Sequence, residues 1–283
     1  MAEAIAPQHA EFRLHHLSPV IGTEVLGIDL TSVTDETIGW LSDLLVERKV
    51  LFFRDQPISS EAHVAFARRF GELEVHPFTD NDSIHPEVIH LRNDREHPPY
   101  INVWHSDVTW RAEPSLGSIL RARVVPEVGG DTLFANMEAG YDALDDDTKE
   151  LIDGLWAIHD NEGFLRGMRQ RGASDAEIDA KRAEFPPQRH PVVRTHPISG
   201  RKSIYVNRAF TRRIDGMEPA ESDALLERLY HQAWIPDFQC RFRWAADSLA
   251  FWDNRAAQHY AAADYWPAER FMERVTIVGD RPR

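Results

Sequence analysis

From Phe238 to Trp244 the chain alternates without a break: Phe238, Cys240, Phe242 and Trp244 are apolar, and Gln239, Arg241 and Arg243 between them are polar. Successive side chains of a strand point to opposite faces, so this period of two requires a sheet with one face on a core and the other toward water. SLAFW at 248–252, SIYVN at 203–207, RVTIVG at 274–279 and the short apolar run VLFF at 50–53 read as further strands. The period becomes helical over 34–49, where Ile38, Leu41, Leu44 and Leu45 share a face and Thr34 can cap the first turn. A second helix is predicted over 61–70, capped by Ser60 and ended by Gly71, with others near 148–155 and 219–233. In the run DDD at 145–147, Asp147 reads as the cap of a solvated helix start. Many short strands with a few flanking helices imply a mainly β fold of two packed sheets, a sandwich or a jelly roll.

No repeat, low-complexity tract or Gly/Ser linker divides the 283 residues, so 1–283 are expected to form a single domain. The charge-rich stretch 160–188, with Pro186 and Pro187 at its end, reads as an insertion or lid, the kind of excursion that often carries function. Lys plus Arg number 32 against 46 Asp plus Glu, a net charge of −14. A surface this acidic repels phosphate backbones, so nucleic acid is not an expected partner, and an anionic small molecule must be captured by local arginines. No apolar run in the sequence reaches the about 18 residues of a membrane span, so no membrane partner is expected. The start MAEAIAPQHAEF lacks the features of a signal peptide, and a single cysteine, Cys240, fits a reducing compartment. A cytoplasmic location is therefore expected.

WHSDVTW at 104–110 places His105 and Asp107 two apart. On a strand both would project to one face, with Ser106 turned away, which is a chelating arrangement. Taken alone, such a pair is more often a partly buried polar contact. A second stretch, FWDNRAAQHYAAADYWPAERFMERVTIVGD at 251–280, brings His259 after an apolar strand and a polar turn. Two imidazoles and one carboxylate on one face of a metal leave the opposite positions open, as in non-haem Fe(II) oxygenases. Zinc is more often held by three histidines or by thiolates, and only one thiol exists.

These motifs, together with VLFFRDQPIS, FARRFGELEVHP, GGDTLFANM and HPVVRTHPISGRKSIYVNRAFTRRI in this order along nearly the whole chain, resemble the taurine/2-oxoglutarate (TauD/TfdA) dioxygenases. The resemblance implies a double-stranded β-helix (jelly roll) core with flanking helices. It also implies an enzyme using Fe(II), 2-oxoglutarate and O2, with a place in sulfur metabolism. His105, Asp107 and His259 would be the iron ligands, and Thr132 with Arg270 would bind 2-oxoglutarate, Gly129 and Gly130 allowing a close approach. Arg274, His76 and Phe210 would bind the substrate. A guanidinium grips a carboxylate through two parallel hydrogen bonds, which suits Arg270 to that task. On a strand, Arg270 and Arg274 share a face; the competing reading of Arg274 is a surface ion pair with Glu269 or Glu273, and of Phe210, core packing. Trp104 and Trp110 are expected around the iron and Trp252 in the sheet core, whereas Asp253 and Asn254 are expected to brace the turn before His259.

The substrate implied is a small anion, first among the candidates taurine or a related alkyl sulfonate, hydroxylated with release of sulfite, succinate and CO2. The positions that meet the amine of taurine in the family correspond to Thr79 and Ile101, and Ile101 cannot accept a hydrogen bond from an ammonium. Tyr100 or Asn102 would have to supply that contact. An alkyl sulfate or a carboxylate is the alternative. A non-oxidative metal-dependent jelly-roll enzyme would keep the metal ligands but need neither Thr132 nor Arg270, and a binding protein that has lost catalysis would lack a ligand. Relatives imply a homodimer or homotetramer.

Overall fold

The computed structural model describes residues 12–79, 81–99 and 102–283. Seven strands form one sheet in the order Arg13–His16, Thr23–Leu26, Val50–Phe53, Leu249–Asp253, Gly117–Val124, Arg270–Ile277, Val88–Asn93. A three-stranded sheet, ordered Gln239–Phe242, Thr132–Asn136, Ala257–Ala261, packs on one face of it. Their common core joins Val50, Phe52, Leu120, Ala250, Trp252 and Met272 of the large sheet to Phe134, Cys240 and Phe242 of the small one. Phe52 stacks on Phe242 with ring centroids 4.0 Å apart.

The run VLFF is continuous because its strand is covered on both faces. Val50 and Phe52 enter the core between the sheets, while Leu51 and Phe53 pack under Ile38, Leu41, Leu44 and Leu45 of the helix Asp35–Arg48. Thr34 caps that helix, its hydroxyl accepting from the Thr37 N–H at 3.2 Å. Alternation in the predicted strand around Cys240 survives over Gln239–Phe242, where Cys240 and Phe242 are buried and Arg241 is exposed; Phe238 belongs to a preceding 3-10 turn.

Two caps fall elsewhere than predicted. Ser59, not Ser60, caps Ser60–Arg68, because the Ser60 hydroxyl turns instead to Glu273 at 3.2 Å. Asp145, not Asp147, caps Asp146–Ile152 by accepting from the Thr148 N–H at 2.8 Å. The strand predicted over 203–207 is Lys202–Ile204, while that predicted over 274–279 begins earlier, as Arg270–Ile277. The helix expected at 219–233 is Pro219–Tyr230, followed by a 3-10 turn, His231–Trp234.

The charge-rich stretch 160–188 contains two helices, Glu162–Gln170 and Asp175–Glu184, between the paired strands Trp156–His159 and Gln188–Pro191. Each has one buried apolar residue, Leu165 or Ile178, and Arg182 ties them by donating to Glu162 at 3.0 Å. Among the described residues no helix is long and apolar enough to cross a membrane.

Candidate metal and anion site

His259 lies in the middle of the strand Ala257–Ala261, opposite Phe134 of the small sheet. On its other side it forms a single antiparallel bridge with His105: His105 N–H donates to the His259 carbonyl at 3.1 Å and His259 N–H to the His105 carbonyl at 2.8 Å. The pair His105 and Asp107 therefore does not ride on a strand as expected. Only His105 pairs, and the chain turns immediately after Asp107, with Val108 at φ +48° and the Arg111 N–H donating to the Val108 carbonyl at 2.9 Å. The turn achieves what a strand period would have, since one donor atom from each of His105, Asp107 and His259 lies within 4.8 Å of the others. All three side chains are buried.

Their protonation suits a cation. His105 Nδ1 lies 2.8 Å from the Val103 carbonyl, which can only accept, so Nδ1 carries a proton and Nε2 is the nitrogen turned toward the other two side chains. Nε2 of His105 stands 3.6 Å from Asp107 Oδ1, and Nε2 of His259 stands 3.9 Å from it. Burial first, and then the neighbouring His105, pushes His259 down to about 3, so its imidazole is neutral. Burial alone would raise Asp107, but the positive Arg274 beside it holds its carboxyl well below the usual range. Ser118 Oγ donates to Asp107 Oδ2 at 2.8 Å and Arg274 Nη1 to Oδ1 at 2.8 Å. One carboxylate and two imidazoles are a donor set that suits a divalent metal. The single thiol, Cys240, sits in the core between the sheets, where burial pushes it up to about 12.

The three residues line a cavity of about 180 Å³ that also receives Thr132, Arg270, Arg274, His76 and Phe210. The two arginines are four positions apart on Arg270–Ile277, which at strand rise separates their Cα atoms by roughly 13 Å. Arg270 is 5% exposed. Its Nε donates to the Gly130 carbonyl at 3.2 Å, and its Nη2 has no hydrogen-bond partner among the described residues. A buried guanidinium without a carboxylate is costly unless an anion joins it. Thr132 Oγ1 accepts from Trp244 Nε1 at 3.0 Å, which leaves its own proton for another acceptor. Gly130 has φ +72°, and a Cβ there would come within 3.3 Å of both Arg270 and Tyr265.

At the other end, Arg274 does not make the surface pair that its neighbours in sequence suggest. Glu273 points to the opposite face, toward Arg121 and Arg123, and Glu269 pairs with Arg92. His76 is 1% exposed, its Nε2 has no partner among the described residues, and burial followed by the Arg274 and Arg111 charges pushes it down to about 3. Phe210 stacks on Phe164 at 6.0 Å and meets the His105 ring edge-on at 6.1 Å. Phe164, from the helix Glu162–Gln170, is a wall residue that sequence reasoning did not single out.

Trp252 lies in the core between the sheets, as expected, and also borders the cavity 4.7 Å from the His259 ring. Trp104 and Trp110, expected around the iron, do not line the cavity: Trp104 packs on Tyr260 in a separate core cluster and Trp110 joins the aromatic cluster beside His76. Thr79 borders the cavity, with its hydroxyl donating to Asn81 Oδ1 at 3.1 Å. Tyr100 and Ile101, on which the expectation about the amine of taurine also rests, lie outside the described residues.

Residues 13–276 match the family described as taurine catabolism dioxygenase TauD, TfdA family. Similar proteins include an alpha-ketoglutarate-dependent sulfate ester dioxygenase of Pseudomonas putida, 36% identical over 99% of this chain and 94% of the relative. An alkylsulfatase of Acinetobacter baylyi is 34% identical over 95% of this chain and 86% of its own length. Among solved structures, a taurine dioxygenase of Burkholderia xenovorans superposes with a TM-score of 0.81 at 35% identity, covering 96% of this chain and 91% of that one. AAD-2 in complex with Mn(II) and N-oxalylglycine superposes with a TM-score of 0.80 at 30% identity, covering 96% and 99%.

Proposed function

Since the chain belongs to the taurine catabolism dioxygenase TauD, TfdA family, we propose that His105, Asp107 and His259 hold the Fe(II) of a 2-oxoglutarate-dependent dioxygenase and that Arg270 and Thr132 hold its cosubstrate. The observation that carries this assignment is Arg270: a buried cation whose Nη2 has no partner among the described residues, on the cavity that contains the three metal-type ligands. Arg270 makes no ion pair among the described residues, and an anionic cosubstrate in this cavity would give it one. On the same view, the two facing sheets form a double-stranded β-helix within one catalytic domain, the helices at 160–188 serve as its lid, and the lone buried Cys240 favours a cytoplasmic enzyme.

The bound iron would supply activation of O2, coupled to oxidative decarboxylation of 2-oxoglutarate to succinate and CO2 and to hydroxylation of a substrate carbon. The chain's own part is placement. Arg270 clamps the distal carboxylate of 2-oxoglutarate, with the Thr132 hydroxyl as a second donor. Asp107 stays ionised because Ser118 and Arg274 donate to it. Trp252, Val108, Phe164 and Phe210 keep water from the reacting carbon.

We assign the substrate to the alkyl sulfate esters and alkyl sulfonates, with taurine no longer first among them. Arg274 and the neutral His76 meet the anionic head; Phe164, Phe210 and Val108 offer an apolar wall to the rest of the molecule. Among the described lining residues the only carboxylate is Asp107, already engaged, so the ammonium of taurine has no anionic partner. Hydroxylation at the carbon bearing the sulfate or sulfonate group would give an adduct that collapses to an aldehyde, its C–O bond breaking to release sulfate from an ester or its C–S bond breaking to release sulfite from a sulfonate. Succinate release is expected to be strong with medium-chain alkyl sulfates or sulfonates and weak with taurine. Taurine or an aryloxy carboxylate as the best substrate would reject the assignment. At saturating metal, Arg274→Ala should abolish substrate-dependent turnover while 2-oxoglutarate binding stays within about threefold of wild type, because Ser118 still donates to Asp107 and the cosubstrate's anchor lies roughly 13 Å away along the strand. Equal loss of both would merge the two roles.

A further inference from the structure

We infer that Asn254 is a positioning residue, which fixes the metal-facing carboxylate of Asp107 by clamping its peptide groups and so holds a strained turn in place. The inference rests on Asp107 being a metal ligand. Asn254 is fully buried. Its Oδ1 accepts from the Asp107 N–H at 2.6 Å, and its Nδ2 donates to the Asp107 carbonyl at 2.9 Å and to the Ser115 carbonyl at 3.3 Å. Its own N–H donates to the Leu116 carbonyl at 2.9 Å. The side-chain amide thus does for Asp107 what a neighbouring strand residue does in an antiparallel pair, binding both N–H and C=O. Asp107 needs this substitute because the chain leaves extended geometry there.

The next residue, Val108, has φ +48°, a left-handed conformation that is a genuine outlier for a β-branched side chain. Such strain persists only where the surroundings over-determine it. Before Asp107 the segment is tied by the His105 bridge to His259 and by the Ser106 hydroxyl donating to the Ala257 carbonyl at 2.8 Å; after it the Thr109 hydroxyl accepts from Asn207 Nδ2 at 3.0 Å, and Ser118 and Arg274 hold the Asp107 carboxylate but not its peptide groups. Asn254 grips the ligand residue itself, from the turn that joins the strands Leu249–Asp253 and Ala257–Ala261. The same turn therefore sets His259 and holds Asp107, coupling two ligand segments 152 positions apart in sequence.

The chemistry specifies asparagine. Aspartate would direct an acceptor at two carbonyls, and alanine would leave the Asp107 and Ser115 groups unpaired. The test is Mn(II) binding, read from the electron paramagnetic resonance of free Mn(II), on wild type, Asn254→Ala, Asn254→Asp and the double variant Asn254→Ala/Val108→Gly. Thermal unfolding of each metal-free chain is recorded alongside. Both single variants should bind Mn(II) roughly ten- to a hundredfold more weakly, the range found when groups that orient a metal ligand are removed. Val108→Gly should restore part of that loss, because glycine adopts the left-handed backbone without steric penalty. If Asn254→Ala does not fold, the double variant decides: a folded, Mn(II)-binding double variant supports the clamp, and one that recovers nothing overturns it. Single variants with wild-type affinity overturn it as well. A wild-type chain that takes up no Mn(II) rejects the metal assignment itself, an outcome distinct from wild-type binding that the variants share.

Discussion

Arg270→Ala is expected to weaken 2-oxoglutarate binding by about 2 to 5 kcal/mol, some thirtyfold to a few thousandfold, because truncation leaves a buried carboxylate without its partner. The effect should appear in the KM for 2-oxoglutarate and in direct titration, while metal uptake stays close to wild type. Lysine should rescue little, since an ammonium cannot reproduce the two-pronged contact. The metal-free chain should respond in the opposite sense. With no cosubstrate, wild-type Arg270 is a buried cation bonded through its Nε to the Gly130 carbonyl, and its Nη2 has no partner among the described residues. Replacing it with the similarly long, uncharged methionine removes that burden. Arg270→Met should therefore unfold at an equal or higher temperature than wild type without ligands, yet lose the stabilisation that 2-oxoglutarate gives wild type. A variant that binds the cosubstrate normally would remove Arg270 from the site.

His259→Gln is expected to lower Fe(II) or Mn(II) affinity by more than about a hundredfold, beyond the loss typical of groups that only orient a ligand. Glutamine roughly preserves the volume packed against Trp252 and Phe134, so the fold should persist. Its amide lacks the neutral imidazole lone pair that burial secures in His259. Calorimetric titration with Mn(II), paired with thermal unfolding of the metal-free protein, separates the two effects. Affinity within a few fold of wild type would mean that the cluster of His105, Asp107 and His259 is a buried polar knot and not a metal centre.

Much of this architecture was legible in the sequence, for identifiable reasons. Strands with one wet face announce themselves by alternation, as Cys240 and Phe242 do, and a strand covered on both sides by an unbroken apolar run, as in VLFF. Arg270 and Arg274 are singled out by the family resemblance, the period of a strand puts them on one face, and the cavity receives both. What was not legible depends on contacts between distant segments. Ser118 sits within the buried run GSILRA and reads as an ordinary core position; only the fold brings its hydroxyl to Asp107. Phe164 was hidden by the charges around it, because a short helix with one buried residue leaves too weak an apolar stripe. The caps slipped by one or two residues where several adjacent groups offer equivalent oxygens, as in Ser59 and Ser60 or the three aspartates at 145–147.

The strand expected at His105 and Asp107 failed instructively. Period-two spacing puts both side chains on one face, and the protein reaches the same end through a bridge and a left-handed turn, which depends on Asn254. From the sequence, Asn254 is expected only to brace its own turn. Its polar groups reach across to the other ligand segment, a link that no local pattern encodes.

Mixing wild-type protein with Fe(II) and 2-oxoglutarate under strict exclusion of oxygen, and recording the visible spectrum, asks the decisive question of this site. A charge-transfer band that requires both additions, and that is lost in His259→Gln, is the expected result. A spectrum that stays featureless with both at saturating concentration would mean that the cosubstrate does not chelate a ferrous ion held by His105, Asp107 and His259.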